Sequence, residues 1–299
     1  MIDVKNIHKQ FDRQAILNGV SLSVKKGSIY GLLGSNGAGK TTLLNTISGV
    51  YRQDKGNVFI DQQPVFENLE IKEKMVFIPD TLYFFPQYTI DQTASFYKNM
   101  YSGWNEERYV ALREVFGIDT SKKIHKLSKG MQRQVSFWLS LSAMPDILIL
   151  DEPFDGLDPV MRKKIKNLLV QDVAEREMTI MISSHNLREV EDLCDHIGIL
   201  HKGNLLLEKD IDDLKSDVHK VQLAFKHDTP SSLFSSMQLL YKEERGSVTL
   251  AIVRGDYDEV TAHFQNYDPV IYDILPLTLE EIFIYEMGDA GYAIKNILV

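Results

Sequence analysis

Over the first 80 positions apolar and polar residues alternate in short runs. Residues 2–7 (IDVKNI), 14–24 (QAILNGVSLSV) and 57–63 (NVFIDQQ) are alternating or β-branched segments separated by Gly, Asn and Lys turns, a strand pattern. Residues 28–34 (SIYGLLG) form a continuous apolar run ending in glycine, which predicts a buried strand. The period then changes, and residues 39–49 (GKTTLLNTISG) predict a helix stopped by Gly49. From about residue 90 to 143 the spacing is helical in three stretches, 91–103, 105–117 and 128–143. Strand–helix alternation returns with 146–151 (DILILD), 161–177, 179–185 (TIMISSH), 186–194 and a hairpin over 196–208 (HIGILHKGNLLLE). This order predicts an α/β fold in which helices pack on a parallel sheet and a helical segment, about 86–143, is inserted. Near residue 216 the pattern shifts again. Strands are predicted at 218–225, 247–255 and 269–276, with helices at 257–265 and 278–288, so that 216–299 reads as a small α+β domain following a first domain of 1–215.

Composition narrows the setting. The chain has 299 residues, 44% hydrophobic and 25% charged, with a net charge of −9, which argues against a general nucleic-acid binder. Its single cysteine, Cys194, excludes an internal disulfide framework and fits a reducing compartment. No window reaches the roughly 18–20 apolar residues of a membrane span, and the first residues lack a signal-peptide core. Any membrane role then requires a partner that supplies the span.

Chemistry concentrates at strand ends. The segment GSNGAGKTT contains Gly34, Ser35, Asn36, Gly37, Ala38, Gly39, Lys40, Thr41 and Thr42, and it fits a P-loop placed after a strand and opening a helix. Glycines let successive N–H groups curl around phosphate oxygens, and the helix N-terminus adds a positive end. Lys40 is placed for the β and γ phosphates and the Thr41 hydroxyl for Mg2+, which implies a bound nucleoside triphosphate. In ILILDE, Asp151 and Glu152 close an apolar strand, where ligands of open α/β sheets bind. Asp151 is placed to hold magnesium through water, and Glu152 to polarise an attacking water. His185 ends the next strand on the same sheet edge, within reach of a γ-phosphate. In LSKGMQ, Ser128 is a good N-cap, but Gly130 in the first helical turn costs stability with no structural return visible in the sequence.

The P-loop, LSKGMQ, ILILDE, DGLD and ISSH occur in the order and spacing of ATP-binding-cassette transporter ATPases, and the sequence resembles that family from about residue 2 to 215. The resemblance implies ATP hydrolysis with Mg2+ by a dimer of ATPase subunits, identical or homologous. It also implies docking on a transmembrane permease at the cytoplasmic face of the membrane, with no nucleic-acid partner. It places Ser128 and Gly130 against the γ-phosphate held by the other subunit, Phe11 at the adenine-stacking aromatic, and Asp158 in the subunit-contact loop. Asp155 and Gly156 depart from the family's usual Ser-Ala. Asp80 stands where the family has a glutamine that touches magnesium and the attacking water, which makes Asp80 a metal and nucleotide candidate with altered coupling. Tyr83, Phe84, Phe85 and Tyr88 either cap the core of the insert or line the groove for a helix of the membrane partner. LSKGM resembles a variant of bacterial exporter ATPases and the C-terminal LTLEEIF the accessory domain of Gram-positive exporter ATPases, and the whole chain is similar to ATPases of exporters for amphipathic peptide toxins, the phenol-soluble modulin system among them. The competing readings are a soluble cassette ATPase of translation or DNA repair, a P-loop kinase or GTPase, and an ATP-binding sensor. Against them stand the single cassette without long coiled coils, the LSKGM segment, and the intact Glu152 and His185.

Overall fold

The computed structural model describes residues 1–226, 230 and 232–282. In chain order the elements are β1 (Ile2–Phe11), β2 (Gln14–Val24), β3 (Ile29–Leu33), α1 (Lys40–Ile47), β4 (Lys55–Ile60), β5 (Gln63–Pro64), α2 (Leu69–Glu73) and β6 (Met75–Ile78). They continue as α3 (Ile90–Met100), α4 (Glu106–Phe116), α5 (Lys129–Ser142), β7 (Ile147–Asp151), α6 (Pro159–Arg176), β8 (Thr179–Ser184), α7 (Leu187–Glu191), β9 (His196–His201) and β10 (Asn204–Asp210). The last are α8 (Ile211–Ser216), β11 (Val218–Ala224), β12 (Gln238–Arg245), β13 (Val248–Arg254), α9 (Tyr257–Gln265) and β14 (Ile271–Leu275). Contacts divide the chain into two compact units, residues 1–185 with 193–208, and residues 186–192 with 209 onward.

The first unit is built on a sheet of order β10-β9-β3-β8-β7-β6, in which β9, β3, β8, β7 and β6 run parallel. Every residue of β3, β7 and β8 is buried, as expected of strands covered on both faces. A second sheet, β2-β1-β4-β5, is antiparallel and alternates buried with exposed positions. The register sets Leu33 beside Ser184, Asp151 beside Ser183 and Ile78 beside Leu150. The carboxyl ends of four adjacent strands, β3, β8, β7 and β6, therefore finish level, and the segments that leave them share one edge.

The three helices of the insert start and stop on local signals. Thr89 and Gln92 make a capping box for α3, Asn105 caps α4, and α4 ends at Gly117, whose φ is 62°. Ser128 Oγ accepts the Met131 N–H at 3.2 Å to begin α5. The fully buried Trp138 of α5 stacks on Tyr109 at 5.0 Å and donates its indole N–H to the Tyr109 carbonyl at 2.9 Å, locking α5 to α4. The buried Asp172 of α6 receives Arg108 from α4 and Arg176 from its own helix, so an ion-paired cluster ties the insert to the core.

The second unit carries the antiparallel sheet β12-β13-β11-β14 with α9, over a core that includes Val221, Leu233, Val253 and Phe264. Besides residues 186–192 it takes in the chain from Lys209 onward, where α8 buries Ile211 and Leu214 and lies against β11. Strand β12 escapes the sequence pattern because it is an edge strand with mostly exposed positions. Of the helix expected over 278–288, residues 279–282 are helical, Thr278 precedes it, and 283–288 lie outside the described residues.

Candidate active site

The loop between β3 and α1 closes on the helix N-terminus through Gly39, the N-cap of α1, with φ 108° and no side chain to occupy the first-turn amides. A Cβ there would also lie 3.1 Å from the Ile16 carbonyl oxygen, so the loop packs against β2 only as glycine. The backbone at the head of α1 is thus left facing outward, the arrangement that accepts phosphate. Lys40 is buried beneath the loop. Its Nζ donates to the Gly34 carbonyl at 2.6 Å and lies 3.1 Å from Glu152 Oε1.

The end of β7 supplies a chain of polar contacts. Asp151 is fully buried, and its Oδ1 accepts the Ser183 hydroxyl at 2.5 Å. Ser183 Oγ in turn accepts the Glu152 N–H at 3.0 Å, supporting a glutamate held at φ 45°, in the left-handed region. Glu152 Oε2 accepts from His185 Nδ1 at 2.9 Å and from the His185 backbone N–H at 3.3 Å. Since an ionised carboxylate only accepts, this contact puts a proton on Nδ1. One carboxylate therefore spans Lys40 and His185, a geometry that fixes the Glu152 side chain beside the phosphate loop.

A cleft of about 310 Å³ is lined by Ile16, Ser35, Asn36, Gly37, Gly39, Lys40, Thr41, Thr42, Asp80 and Glu152. The structure thus brings the P-loop, Asp80 and Glu152 to one space. Asp151 reaches Glu152 through Ser183 and His185 contacts it directly, without either lining the cleft, while Gly34 and Ala38 shape the loop without lining it. Magnesium favours oxygen ligands. The donor set fits it: Asp151 Oδ2 is buried without a hydrogen-bond partner among the described residues, and Thr41 and Asp80 present oxygens on the cleft wall. Glu152, Asp155 and His185 also place one ligand atom each within 4.8 Å of one another, but a histidine-containing set suits transition metals better than magnesium.

Other candidates stand apart from this cleft. Phe11 does not line it; its ring meets Tyr51 edge-on at 5.4 Å, and Lys9 Nζ lies 5.2 Å from its centroid. Ser128 and Gly130 also lie outside it. They belong to the segment facing a second cleft of about 370 Å³, lined by Asp80, Thr81, Leu82, Lys129, Gln132, Arg133, Asp155 and Gly156. The structural return for Gly130 lies within the chain, since a Cβ would approach the Gly156 carbonyl oxygen to 2.6 Å. Asp158 caps α6 by accepting the Val160 and Met161 N–H groups. Sequence reasoning passes over Ser183, Ile16 and Arg133. Ser183 is inside the ISSH segment, but only strand register shows that it bridges Asp151 to Glu152.

Residues 17–155 match the family model described as ABC transporter. Over 290 residues the chain is 34% identical to the ABC transporter ATP-binding protein YtrB of Bacillus subtilis (strain 168), covering 96% of this chain and 98% of that protein. It is 34% identical to the bacitracin transport ATP-binding protein BcrA of Bacillus licheniformis, covering 72% of this chain and 71% of that protein. Among solved structures, an ATP-binding subunit of an ABC transporter superposes with a TM-score of 0.67 at 26% identity, over 72% of this chain and 92% of that one. The dimeric cassette MJ0796 bound to ADP and Pi superposes at 0.64 and 23% identity, over 71% and 99%, a likeness of fold.

Proposed function

The chain belongs to the ABC transporter ATP-binding family, and from that premise we propose how its residues divide the work of an ATP-hydrolysing exporter subunit. Lys40 and the P-loop amides hold the triphosphate. Thr41 and Asp80 would hold Mg2+, with Asp151 acting through water; the ion neutralises charge on the β and γ phosphates. Glu152 orients the attacking water and takes its proton. His185 fixes Glu152 through Nδ1 and leaves Nε2 for the γ-phosphate. The rate enhancement comes from positioning and charge stabilisation.

The observation that carries the dimeric reading is an incompleteness. The cleft containing Lys40 and Glu152 has no lining residue from the LSKGM segment of the same chain. Ser128 and Gly130 therefore serve the cleft of a second ATPase subunit, the helix N-terminus of α5 completing the anion site. Phe11, whose ring is exposed, stacks on the adenine. A permease at the cytoplasmic face of the membrane supplies the span, since no helix among the described residues is long and apolar enough to cross one. Its docking face is the aromatic group where Tyr83 is 80% exposed and Phe85 packs at 5.1 Å from both Tyr88 and Phe96. An exposed aromatic cluster of this kind marks an interaction surface. Residues 216–299 act as an accessory domain, and the cargo is an amphipathic peptide or drug, in keeping with the bacitracin and lantibiotic transport for which relatives are named.

Two inactive variants test the shared site. Lys40→Ala removes the phosphate lysine, and Ser128→Asp adds a carboxylate against the partner's γ-phosphate while remaining a good N-cap for α5. A mixed dimer then has one site with both lesions and one with neither, and part of the ATPase activity returns. Verified mixed dimers with neither activity nor ATP-dependent closure would refute the shared site.

A further inference from the structure

Position 80 poses a charge problem. The P-loop cleft is lined by two carboxylates, Asp80 and Glu152, and by one cation, Lys40. A triphosphate entering such a cleft meets more negative charge than positive. The compensation lies just behind the wall. Arg133, in the second turn of α5, donates from Nη1 to the Pro79 carbonyl at 2.9 Å and from Nη2 to the Asp80 carbonyl at 2.7 Å. Nη2 also reaches Asp80 Oδ1 at 3.4 Å. The Arg133 side chain is 7% exposed and that of Asp80 55%, so the guanidinium is the buried member of the pair. Burying a guanidinium costs several kcal/mol unless it is hydrogen-bonded and charge-paired. Among the described residues Asp80 is the one carboxylate in ion-pair range of Arg133. Asp80 lines both the P-loop cleft and its neighbour, whereas Arg133 lines only the neighbour.

We propose that Arg133 is a positioning residue for the ATPase reaction: its guanidinium supplies the counter-charge that lets position 80 carry an aspartate beside the triphosphate, and it holds that carboxylate on the wall between the two clefts. The proposal rests on the nucleotide reading of the P-loop cleft and deepens it. An alternative role, bracing the Pro79 and Asp80 carbonyls alone, is purely structural and separable.

The test is a double-substitution cycle read by equilibrium binding of ATP in EDTA and in Mg2+, beside hydrolysis as a function of Mg2+. Arg133→Gln leaves Asp80 uncompensated and should weaken metal-free ATP binding about threefold to fivefold, the scale of one partly solvated charge pair. The loss should be smaller with Mg2+ and should shrink as salt is raised. Asp80→Asn in the Arg133→Gln background removes the uncompensated charge and should restore metal-free ATP affinity to within twofold of wild type. A double variant as weak as Arg133→Gln would overturn the proposal in favour of the bracing role. Arg133→Lys covers the case in which Arg133→Gln fails to fold. It keeps the charge without the planar fork, so near-wild-type affinity is expected and a loss equal to neutral substitution overturns the proposal. If wild type itself binds no ATP, the nucleotide reading fails instead.

Discussion

The Lys40–Glu152 ion pair makes a specific demand on the nucleotide cycle. At 3.1 Å and an effective dielectric of about 20, the raw Coulomb attraction between these groups is about 5 kcal/mol. Most of it is offset by the cost of holding both charges largely out of water, which leaves a net coupling of about 1–2 kcal/mol. ATP binding must draw Lys40 from the carboxylate to the phosphates, so this coupling opposes binding. Glu152→Gln removes it, while the amide oxygen still accepts from His185 Nδ1. Two effects of opposite kind follow. Hydrolysis should fall about 10²–10⁴-fold for want of a base. ATP affinity should rise about 5- to 30-fold, the equivalent of about 1–2 kcal/mol, and the ATP-bound dimer should accumulate. Single-turnover hydrolysis and equilibrium binding of ATP in Mg2+ measure the two separately. Hydrolysis within twofold of wild type would remove Glu152 from the role of base. Unchanged or weaker ATP affinity would show that the ion pair does not restrain Lys40.

Ser183→Ala strips a buried donor from Asp151 and an acceptor from the Glu152 N–H, so stability should fall by about 1–3 kcal/mol and the Mg2+ requirement should rise; an unchanged metal titration would separate Ser183 from the site. Asp172→Ala leaves Arg108 and Arg176 without their shared carboxylate, and because these side chains are 21% and 19% exposed the cost should be about 2–3 kcal/mol rather than the larger figure for fully buried pairs. Urea unfolding reads that change, and a loss under about 0.5 kcal/mol would refute the clamp between insert and core. Burial, reinforced by the neighbouring Asp195 charge, pushes the Cys194 thiol pKa well up, so at pH 8 the native protein should react with thiol reagents only as fast as it opens; rapid labelling without denaturant would contradict this.

Most elements near the site are legible in the chain because their signals are local. The apolar runs of β3 and β7, the capping residues Thr89, Asn105 and Ser128, and the stop at Gly117 each act within a few residues of themselves. The strand β12 is not legible, since an exposed edge strand buries too little apolar surface to impose alternation. Gly130 shows the limit more sharply. Its cost to the helix is visible in sequence, yet the reason is the Gly156 carbonyl of a distant loop, brought close only by packing.

What the sequence determined by itself is the phosphate loop, the acidic strand end and the helical insert, because a P-loop's glycines, lysine and helix start act over nine consecutive positions. What only the tertiary structure decided is which distant groups meet: Ser183 between Asp151 and Glu152, Glu152 between Lys40 and His185, and Arg133 against Asp80. Those partners lie from 31 residues apart, for Ser183 and Glu152, to 112 apart, for Lys40 and Glu152. They meet because parallel strand register levels four carboxyl ends, and because α5 packs its buried face beside β6. Charge pairing depends on separations of a few ångströms, and no local pattern carries that information.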